Sequence, residues 1–296
     1  AVATAADAYT SIEAGEINNV EPAAGQSGAT VTITGTAMFG GGDALATVTL
    51  AGVEATVADG ANETEIVVTA EDSDTEGAGD VILVSDSGAI VTLVDGFTYT
   101  AAGEITEVSP VNGQVGTVVT ITGTNLDAHS GDVTQVLLAG VEAIIVEASA
   151  TEVVVAAAAS DAETGVVTIV GGNGASVVSA AEIVFEYLAP GEINDVQPGS
   201  GQLGSTVVIS GARLLAGGSE AVTVTLGGVE ATITSSTNDE VVVKVVTSSD
   251  AAVGAIKITS DTGSIVAQDG AWEYLEAGEI TDVSPAFGQF GTIVTI

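Results

Sequence analysis

The sequence contains no cysteine, so its 296 residues can form neither a disulfide bond nor a zinc site with thiolate ligands. Basic residues are scarce as well: Arg213, Lys244 and Lys257 stand against 40 acidic residues, and the formal net charge is -37. A surface this negative repels phosphate backbones and anionic lipid headgroups. The composition therefore excludes nucleic-acid binding and electrostatic attachment to a membrane as expected functions.

Long apolar runs are also missing. No stretch approaches the roughly 18 consecutive apolar residues of a membrane-spanning helix, and the alanine-rich start lacks the basic and apolar regions of a signal peptide. Apolar residues still make up 46% of the chain and charged residues only 15%, which is typical of a folded protein rather than a disordered one. We therefore expect folded domains and no transmembrane segment in this region.

What the sequence does contain is a repeat. The tripeptide Gly-Glu-Ile opens a similar stretch four times, about 88 residues apart, at Gly15, Gly103, Gly191 and Gly278. That length suits a complete small domain with its own core. We predict an N-terminal segment or tail of a preceding repeat (1–14), three repeats (15–102, 103–190 and 191–277) and the start of a truncated fourth repeat (278–296). Because the last segment is too short to bury a core, we expect a sequence cut from a longer polymer or, as the alternative, completion by another chain.

Each repeat has the pattern of an all-β domain. In the first repeat Val31 and Ile33 alternate with threonines, as expected of a strand with one buried face. A Gly-Gln-x-Gly turn precedes this strand in every repeat, at 25–28 in the first, and glycine there suits a positive φ. The Ala51-Gly52 pair, between two apolar stretches, predicts a hairpin turn. About seven short strands per repeat predict an immunoglobulin-like β-sandwich.

Aromatic residues form only 3% of the chain, and most of them close a repeat. They occur as pairs spaced by two residues, so both rings of a pair point to the same face of a strand. The pairs are Phe97 and Tyr99, Phe185 and Tyr187, and Trp272 and Tyr274. A platform for stacking sugars is one interpretation. Since large apolar side chains are scarce, we expect the pairs to fill the domain cores instead.

Five features in the same order resemble the IPT/TIG family of immunoglobulin-like domains. They are Pro22, the turn 25–28, the Val-Thr-Ile-Thr-Gly run at 31–35, the hairpin 50–53 and the pair Phe97 and Tyr99. The resemblance covers nearly all of the chain from Gly15 onward and implies an early-immunoglobulin-type β-sandwich. Family members occur in cell-surface receptors, in bacterial and protist surface proteins, beside catalytic domains of secreted carbohydrate-active enzymes, and in transcription factors. The transcription-factor branch binds DNA through basic loops, which this acidic chain lacks.

Carboxylates are the main candidate ligands, because hard oxygen donors are abundant here and calcium prefers several of them. The densest acidic cluster is a loop after the fifth predicted strand. Its candidate calcium ligands are Asp72, Asp74, Glu76 and Asp80. Ser160-Asp161 and Ser249-Asp250 occupy the same place in later repeats, and Glu104 or Glu192 at a repeat boundary is an alternative site. Loose attraction of counterions is the other interpretation of all these acidic groups.

Two single residues complete the candidate list. Asn62 begins the only Asn-x-Thr triplet of the sequence, which lies in a predicted loop, so it is a candidate N-glycosylation site if the protein is made in a eukaryotic secretory pathway. His129 is the only histidine, and we expect it to be a solvated loop residue because one imidazole does not make a zinc site. The acidic positions recur in every repeat, and an active site duplicated in every domain is not expected. We predict no catalytic residues, no cofactor other than this calcium, and no enzymatic activity.

The linkers between repeats suggest the function. Only three residues separate each closing aromatic from the next Gly-Glu-Ile, so the joints cannot swing freely and the domains are expected to stack end to end as a rod. We predict a non-catalytic extracellular or cell-surface structural protein: a shaft segment of a filament, appendage or adhesive stalk that associates with itself into fibres or with other surface proteins and glycans.

The alternative function is a ligand- or glycan-binding ectodomain of a receptor or adhesin, or an accessory region of a secreted carbohydrate-active enzyme. It predicts one repeat with loops unlike the others, and the loops after the second strand do differ among the three repeats. A subsidiary prediction of the structural role is strand donation, in which segment 1–14 of one molecule completes segment 278–296 of another.

Overall fold

The computed structural model describes residues 11–246 and 252–296. In these residues all regular secondary structure is β-strand, which confirms the predicted all-β fold. They form two compact units, one of 11–112, 118–158 and 163–187 and one of 113–117, 159–162, 188–246 and 252–296. Most of segment 1–14, on which strand donation depends, lies outside the described residues, as does the Ser249-Asp250 pair.

The first repeat is a sandwich of two sheets. Its strands are β1 (Glu16–Glu21), β2 (Ala24–Gly25), β3 (Thr30–Thr36), β4 (Leu45–Leu50), β5 (Val53–Glu54), β6 (Thr56–Val57), β7 (Glu65–Thr69), β8 (Gly77–Ser85) and β9 (Ile90–Tyr99). One sheet has the order β1-β3-β7-β6 and the other the order β2-β9-β8-β4-β5. Strand β2 pairs with β9 in parallel, and the strand patterns did not predict this pairing.

The second repeat has the same two sheets. Its strands are β10 (Glu104–Ser109), β11 (Asn112–Gly113), β12 (Val118–Thr124), β13 (Val133–Leu138), β14 (Val141–Glu142), β15 (Ile144–Ala148), β16 (Glu152–Ala156), β17 (Glu163–Gly171), β18 (Ser176–Val178) and β19 (Val184–Tyr187). The orders are β10-β12-β16-β15 and β11-β19-β17-β13-β14, and β18 pairs with β17. Its topology therefore repeats that of the first domain.

The third repeat joins its two layers into one sheet. Its strands are β20 (Glu192–Gln197), β21 (Ser200–Gly201), β22 (Thr206–Ala212), β23 (Ala221–Leu226), β24 (Val229–Ser236), β25 (Glu240–Lys244), β26 (Ala252–Ser260) and β27 (Ile265–Tyr274). The order is β20-β22-β25-β24-β23-β26-β27-β21. The long strand β24 pairs with β23 at its start and with β25 further on, so it crosses from one layer to the other.

The core lies where the predicted alternation of apolar and polar residues puts the apolar side chains. In β3, Val31 and Ile33 are fully buried while the threonines between and after them are partly exposed. The aromatic pairs are buried as well, which confirms their predicted place in the core. Phe97 and Tyr99 meet edge to face with ring centroids 5.2 Å apart and an interplanar angle of 83°. This geometry is favourable for aromatic rings, and it leaves no exposed platform for sugars.

The predicted turns also form. Leu50 pairs with Val53 across the Ala51-Gly52 turn, in which both residues have positive φ, at 45° and 87°. Positive φ at both central positions is what a type I′ hairpin turn requires. In the Gly-Gln-x-Gly turn of the first repeat, Gly28 has a φ of 83°. Each domain is thus built from the local signals that its sequence contains.

Candidate functional site at the repeat junctions

The linker after the first repeat is bound along most of its length. The Thr100 amide donates to the Gly25 carbonyl at 3.0 Å, and the Gly103 amide donates to Oε1 of Gln26 at 2.7 Å. The carbonyl of Ala101 lies 3.0 Å from Nε2 of His129, which is exposed, as expected. The linker is therefore in contact with residues from both repeats that it joins.

Gln26 is the central side chain of this junction. It is only 4% exposed, and its Nε2 donates to the Ser176 carbonyl at 3.1 Å while its Oε1 binds the linker. A buried amide needs partners for its donor and its acceptor. The Thr30 amide adds a hydrogen bond to the Asn173 carbonyl at 2.8 Å. Gln26 thus connects the first repeat, the linker and a turn of the second repeat.

This role of Gln26 was not predicted, because the Gly-Gln-x-Gly motif by itself indicates only a tight turn. The available signal was the glutamine itself, which recurs as Gln26, Gln114, Gln202 and Gln289. A tight turn requires glycine for its backbone but does not require glutamine. A polar residue that recurs in a turn without a backbone reason indicates a side-chain hydrogen bond.

The second compact unit contains a similarly bound linker. In its segment 113–117, Nε2 of Gln114 donates to the carbonyls of Ser160 at 2.7 Å and Leu188 at 2.5 Å. Nε of Arg213 donates to the Pro190 carbonyl at 2.9 Å. Side chains therefore bind this linker too, although the donors differ from those of the first unit.

A cavity of about 290 Å³ lies beside the first linker. Its walls are the turn at Gln26 and Ser27, the acidic loop 72–76 and the residues 99–102. Asp72, Asp74 and Glu76, three of the four predicted calcium ligands, line it. The fourth, Asp80, does not line the cavity, and its carboxylate accepts a hydrogen bond from the Asp95 amide at 3.0 Å. One of the four predicted ligands, Asp80, therefore binds a backbone amide and does not face the cavity.

The acidic wall is not a ready-made ligand set. Within residues 11–246 and 252–296, no three His, Cys, Asp or Glu side chains are placed so that they could hold a metal ion. Calcium also accepts hydroxyl and carbonyl oxygens, and Ser73 and Thr75 supply such groups in the same wall. The alternative residues Glu104 and Glu192 are exposed first residues of β10 and β20. Calcium binding stays a prediction.

Tyr99 forms the buried end of the cavity. Its side chain lies in the domain core, and its hydroxyl has no hydrogen-bond partner in the part of the chain that the structure describes. Burial raises the pKa of Tyr99 most, and the negative charges of Glu71 and Asp72 raise it further. The nearby Glu71 backbone lowers the pKa by a smaller amount, but its geometry is not that of a hydrogen bond. The hydroxyl therefore stays neutral at physiological pH.

Asn62 lies at an exposed turn before β7. Its Oδ1 accepts hydrogen bonds from the Thr64 amide at 2.9 Å and the Glu65 amide at 3.0 Å. The Thr64 hydroxyl donates to the same oxygen at 2.8 Å. These bonds form a side-chain turn of the kind that asparagine favours, which explains the residue without a glycan. Glycosylation of Asn62 stays a prediction.

The comparisons with known proteins concern the repeats. Residues 16–99, 104–187 and 192–274 each match the model of the IPT/TIG domain family. A search among curated proteins found no match. Within the described residues, no helix has the length and apolar character needed to cross a membrane.

Several solved structures are similar to this chain. The full extracellular region of plexin A4, domains 1 to 10, matches with a TM-score of 0.51 and 20% identity, over 91% of this chain and 25% of the plexin chain. The SGBP-B protein of a Bacteroides ovatus mixed-linkage glucan utilization locus matches with a TM-score of 0.25 and 14% identity, over 90% and 68% of the two chains. The I9-I11 tandem of titin matches with a TM-score of 0.27 and 11% identity, over 89% and 97%. The plexin match shows the fold alone, and this chain spans about a quarter of that protein.

Proposed function

The chain belongs to the IPT/TIG domain family, and from this premise we propose a structural role outside the cell. In this proposal the tandem domains are the shaft segment of a surface filament, appendage or adhesive stalk. The protein is non-catalytic, and its function is to hold other parts at a distance. The plexin match supports the location, since that structure is also an extracellular series of domains.

The observation that carries the proposal is that the linker after the first repeat is hydrogen-bonded to neighbouring residues of the first unit. A short linker limits the swing of neighbouring domains but does not by itself fix one relative orientation. Here Gln26 binds both the linker at Gly103 and the second repeat at Ser176, so reorientation of the first two repeats requires breaking partly buried hydrogen bonds. Such bonds are costly to leave unmade. A junction of this kind favours one relative orientation, which is what a shaft requires.

The charge supports the same role. A net charge of -37 opposes indiscriminate clumping of many copies on a surface. Salt outside the cell screens the repulsion over about 8 Å at physiological ionic strength. Specific contacts between molecules therefore remain available when nonspecific ones are disfavoured.

Small-angle X-ray scattering of dilute protein tests the proposal. We expect an elongated, semi-rigid particle for the wild type and greater flexibility for Gln26→Ala, because the buried bridge is lost. Gln202→Ala, in the exposed turn of the third repeat, is the matched control and should scatter like the wild type. Wild-type scattering from a compact particle, or from independently tumbling domains, would overturn the shaft proposal.

A second candidate function is ligand binding by an ectodomain. The observation that favours it is the cavity of about 290 Å³ beside the first linker, whose acidic loop gives the first repeat a distinctive wall. Binding of soluble polysaccharides to the whole chain, and its loss in Asp72→Asn and Asp74→Asn variants, would support this function. Binding that these variants leave unchanged would place any ligand elsewhere.

A further inference from the structure

The cavity beside the first linker corresponds to a space that a glutamine fills in the second compact unit. There Nε2 of Gln114 donates to the Ser160 carbonyl, in the loop segment 159–162, and to the Leu188 carbonyl in the linker. Gln114 is only 2% exposed. A buried N–H donor therefore closes the space between turn, loop and linker in that unit.

In the first repeat the equivalent glutamine is used differently. Nε2 of Gln26 donates to the Ser176 carbonyl, and its Oε1 accepts a hydrogen bond from the Gly103 amide. Both ends of the amide are thus bound to the second repeat and to the linker. The space between the turn, the loop 72–76 and the residues 99–102 stays open, as the cavity of about 290 Å³.

The turn and the linker are more polar around this cavity than in the other repeats. The residue after the closing tyrosine is Thr100, where the other two repeats have Leu188 and Leu275. In the Gly-Gln-x-Gly turn, Ser27 stands where the next two motifs have valine and leucine. Both hydroxyl residues line the cavity. A few polar groups that converge on a cavity are typical of a binding site.

The loop between β7 and β8 differs as well. It has seven residues, 70–76, whereas the loop between β16 and β17 has six, 157–162. The first loop contains four acidic residues and the second only one. Three of the four, Asp72, Asp74 and Glu76, line the cavity. The first repeat therefore has a negative wall that the second repeat lacks.

Two hydroxyl groups in the cavity wall are buried and unsatisfied. Neither the Tyr99 hydroxyl nor Oγ1 of Thr100 has a hydrogen-bond partner among the residues that the structure describes. Tyr99 is 3% exposed, and the charge of Asp72 raises its pKa, which places its hydroxyl near the acidic wall. Tyr187 and Tyr274 have unsatisfied hydroxyls too, but only the first repeat adds a second one. A buried hydroxyl is costly without a partner, and an occupant of the cavity supplies one.

We propose that this cavity binds a primary ammonium group. Such a group carries a positive charge and three N–H donors, so it takes the place that the Gln114 amide occupies in the second unit. The hydroxyl oxygens of Tyr99 and Thr100 accept two of its hydrogen bonds, and the acidic wall balances its charge. The inference rests on the second candidate function, ligand binding beside the first linker, for which it names the ligand class. It does not depend on the shaft role.

The cavity suits an ammonium better than an anion or a bare metal ion. The negative wall repels anions. Calcium needs several oxygen ligands at about 2.3–2.6 Å, and within residues 11–246 and 252–296 no three acidic or histidine side chains are placed to hold a metal. An ammonium requires only hydrogen-bond acceptors at about 2.8 Å.

The size of the cavity indicates that the ammonium belongs to an alkyl chain. One water molecule takes up about 30 Å³ of liquid, so a cavity of about 290 Å³ holds more than a single charged group. Ala101 and Ala102 supply apolar wall for methylene groups. A free alkyl amine and a lysine side chain of another protein both have this chemistry.

An NMR titration of the ¹⁵N-labelled whole chain with n-butylammonium chloride tests the proposal. At pH 7 and about 0.15 M NaCl, with EDTA present, we expect saturable shifts of the amides in 72–76 and 99–102. The expected Kd is about 1 mM, because the site is small and open to solvent. Tetramethylammonium has the same charge but no N–H donor, so it is the matched control ligand and should bind at least about tenfold more weakly.

Two sets of variants locate the site. Thr100→Leu introduces the residue type of the other repeats, so it should fold normally and weaken butylammonium binding about tenfold or more, since a hydroxyl acceptor is replaced by an apolar side chain. Changing the three acidic residues of the wall to their amides should have an effect at least as large. The control is the same change at three exposed acidic residues of the second repeat, which should leave the Kd unchanged. These control residues are Glu107, Glu147 and Glu152.

Three results would overturn the proposal: no saturation below about 100 mM butylammonium, equal binding of tetramethylammonium, or a Kd that Thr100→Leu and the wall variants leave unchanged. Nα-acetyl-lysine amide distinguishes the sources of the ammonium. Binding of this compound as tight as that of butylammonium indicates a lysine side chain, and binding of butylammonium alone indicates a free amine. Polysaccharide binding and dilute scattering are measured without amine, so failure of this proposal is distinguishable from failure of either proposed function.

Discussion

Within residues 11–246 and 252–296, three tyrosine hydroxyls are buried at equivalent positions and have no hydrogen-bond partner. They belong to Tyr99, Tyr187 and Tyr274. Each ring lies edge to face with an aromatic two residues before it, so the ring is needed for packing while the hydroxyl is not satisfied. Burial raises the pKa of all three, because an ionised phenolate is poorly solvated in the core.

These tyrosines predict a loss of stability at high pH. Each neutral tyrosine contributes to the free energy of unfolding, because its pKa is higher in the folded protein than in the unfolded chain. This contribution is complete below the unfolded-state pKa, near 10. It is then lost as the pH rises through the folded-state value. We expect the free energy of unfolding in urea to fall above about pH 10, and to fall less when all three residues are changed to Phe. At pH 7, Tyr274→Phe should cost less than about 1 kcal/mol, since no hydrogen bond to a described residue is lost. A larger cost would reveal a partner for the hydroxyl.

The acidic cavity wall predicts a specific effect of calcium. If Asp72, Asp74 and Glu76 bind Ca²⁺, about 1 mM Ca²⁺ should raise the melting temperature more than NaCl of equal ionic strength does. Changing these three residues to their amides should remove the difference. The same change at exposed Glu107, Glu147 and Glu152 is the control and should leave it intact. No difference between the two salts for the wild type would end the calcium prediction.

At the scale of elements, the hairpin turns depend on glycines in a neighbouring strand. A Cβ added at Gly79 would lie 2.7 Å from the Cα of Ala51, and one at Gly165 would lie 2.9 Å from the Cα of Ala139. In the third repeat a Cβ at Gly254 would collide with the backbone of Gly227. In each repeat the strand that contains this glycine (β8, β17 or β26) can therefore lie against the hairpin turn only because glycine has no side chain. Close approach of another backbone is a recognised use of glycine in strands.

This close approach predicts that Gly254→Ala destabilises the third repeat by about 1–3 kcal/mol, because backbone atoms must shift to admit the methyl group. Urea unfolding followed by Trp272 fluorescence reports on this repeat, whose core contains the only tryptophan. Gly199→Ala is the matched control, since its nearest neighbour would be the Val196 carbonyl at 3.8 Å. Equal stability of the two variants would contradict the contact.

The elements that could be predicted from the sequence are those with local signals. Val31 and Ile33 alternate with polar residues, and Ala51-Gly52 specifies its turn, so both follow from short stretches. Strand β2 could not be predicted, because it has two residues and pairs in parallel with a strand about 70 residues later. The break between β5 and β6 could not be predicted either, because Ala55 at the break and Ala231 within the continuous strand β24 are the same residue type.

The candidate site was predicted less completely than the fold. The acidic loop was recognised because Asp72, Asp74 and Glu76 are neighbours in sequence. Asp80 was grouped with them by the same proximity, but the strand geometry of β8 directs it to the Asp95 amide instead. The role of Gln26 depends on a contact with a residue 150 positions later, which no local pattern reveals.

At the scale of the whole molecule, charge and repetition act together. Each domain has the same fold, and 40 acidic residues against three basic ones leave few attractive ion pairs to offset repulsion. Folding brings these carboxylates closer together than they are in the unfolded chain, so repulsion opposes the folded state. The buried strands and aromatic pairs must outweigh it.

Screening should therefore stabilise the protein. Between about 0.01 M and 1 M salt the Debye length falls from about 30 Å to about 3 Å, which removes most repulsion between distant carboxylates. We expect the urea midpoint at pH 7 to rise over this range, measured at low protein concentration so that self-association does not contribute. Near the isoelectric point of about 4.1 the net charge is close to zero, so the same salt series should have a much smaller effect. An equal salt effect at both pH values would show that NaCl acts on apolar burial, and repulsion would then not limit the stability of the array.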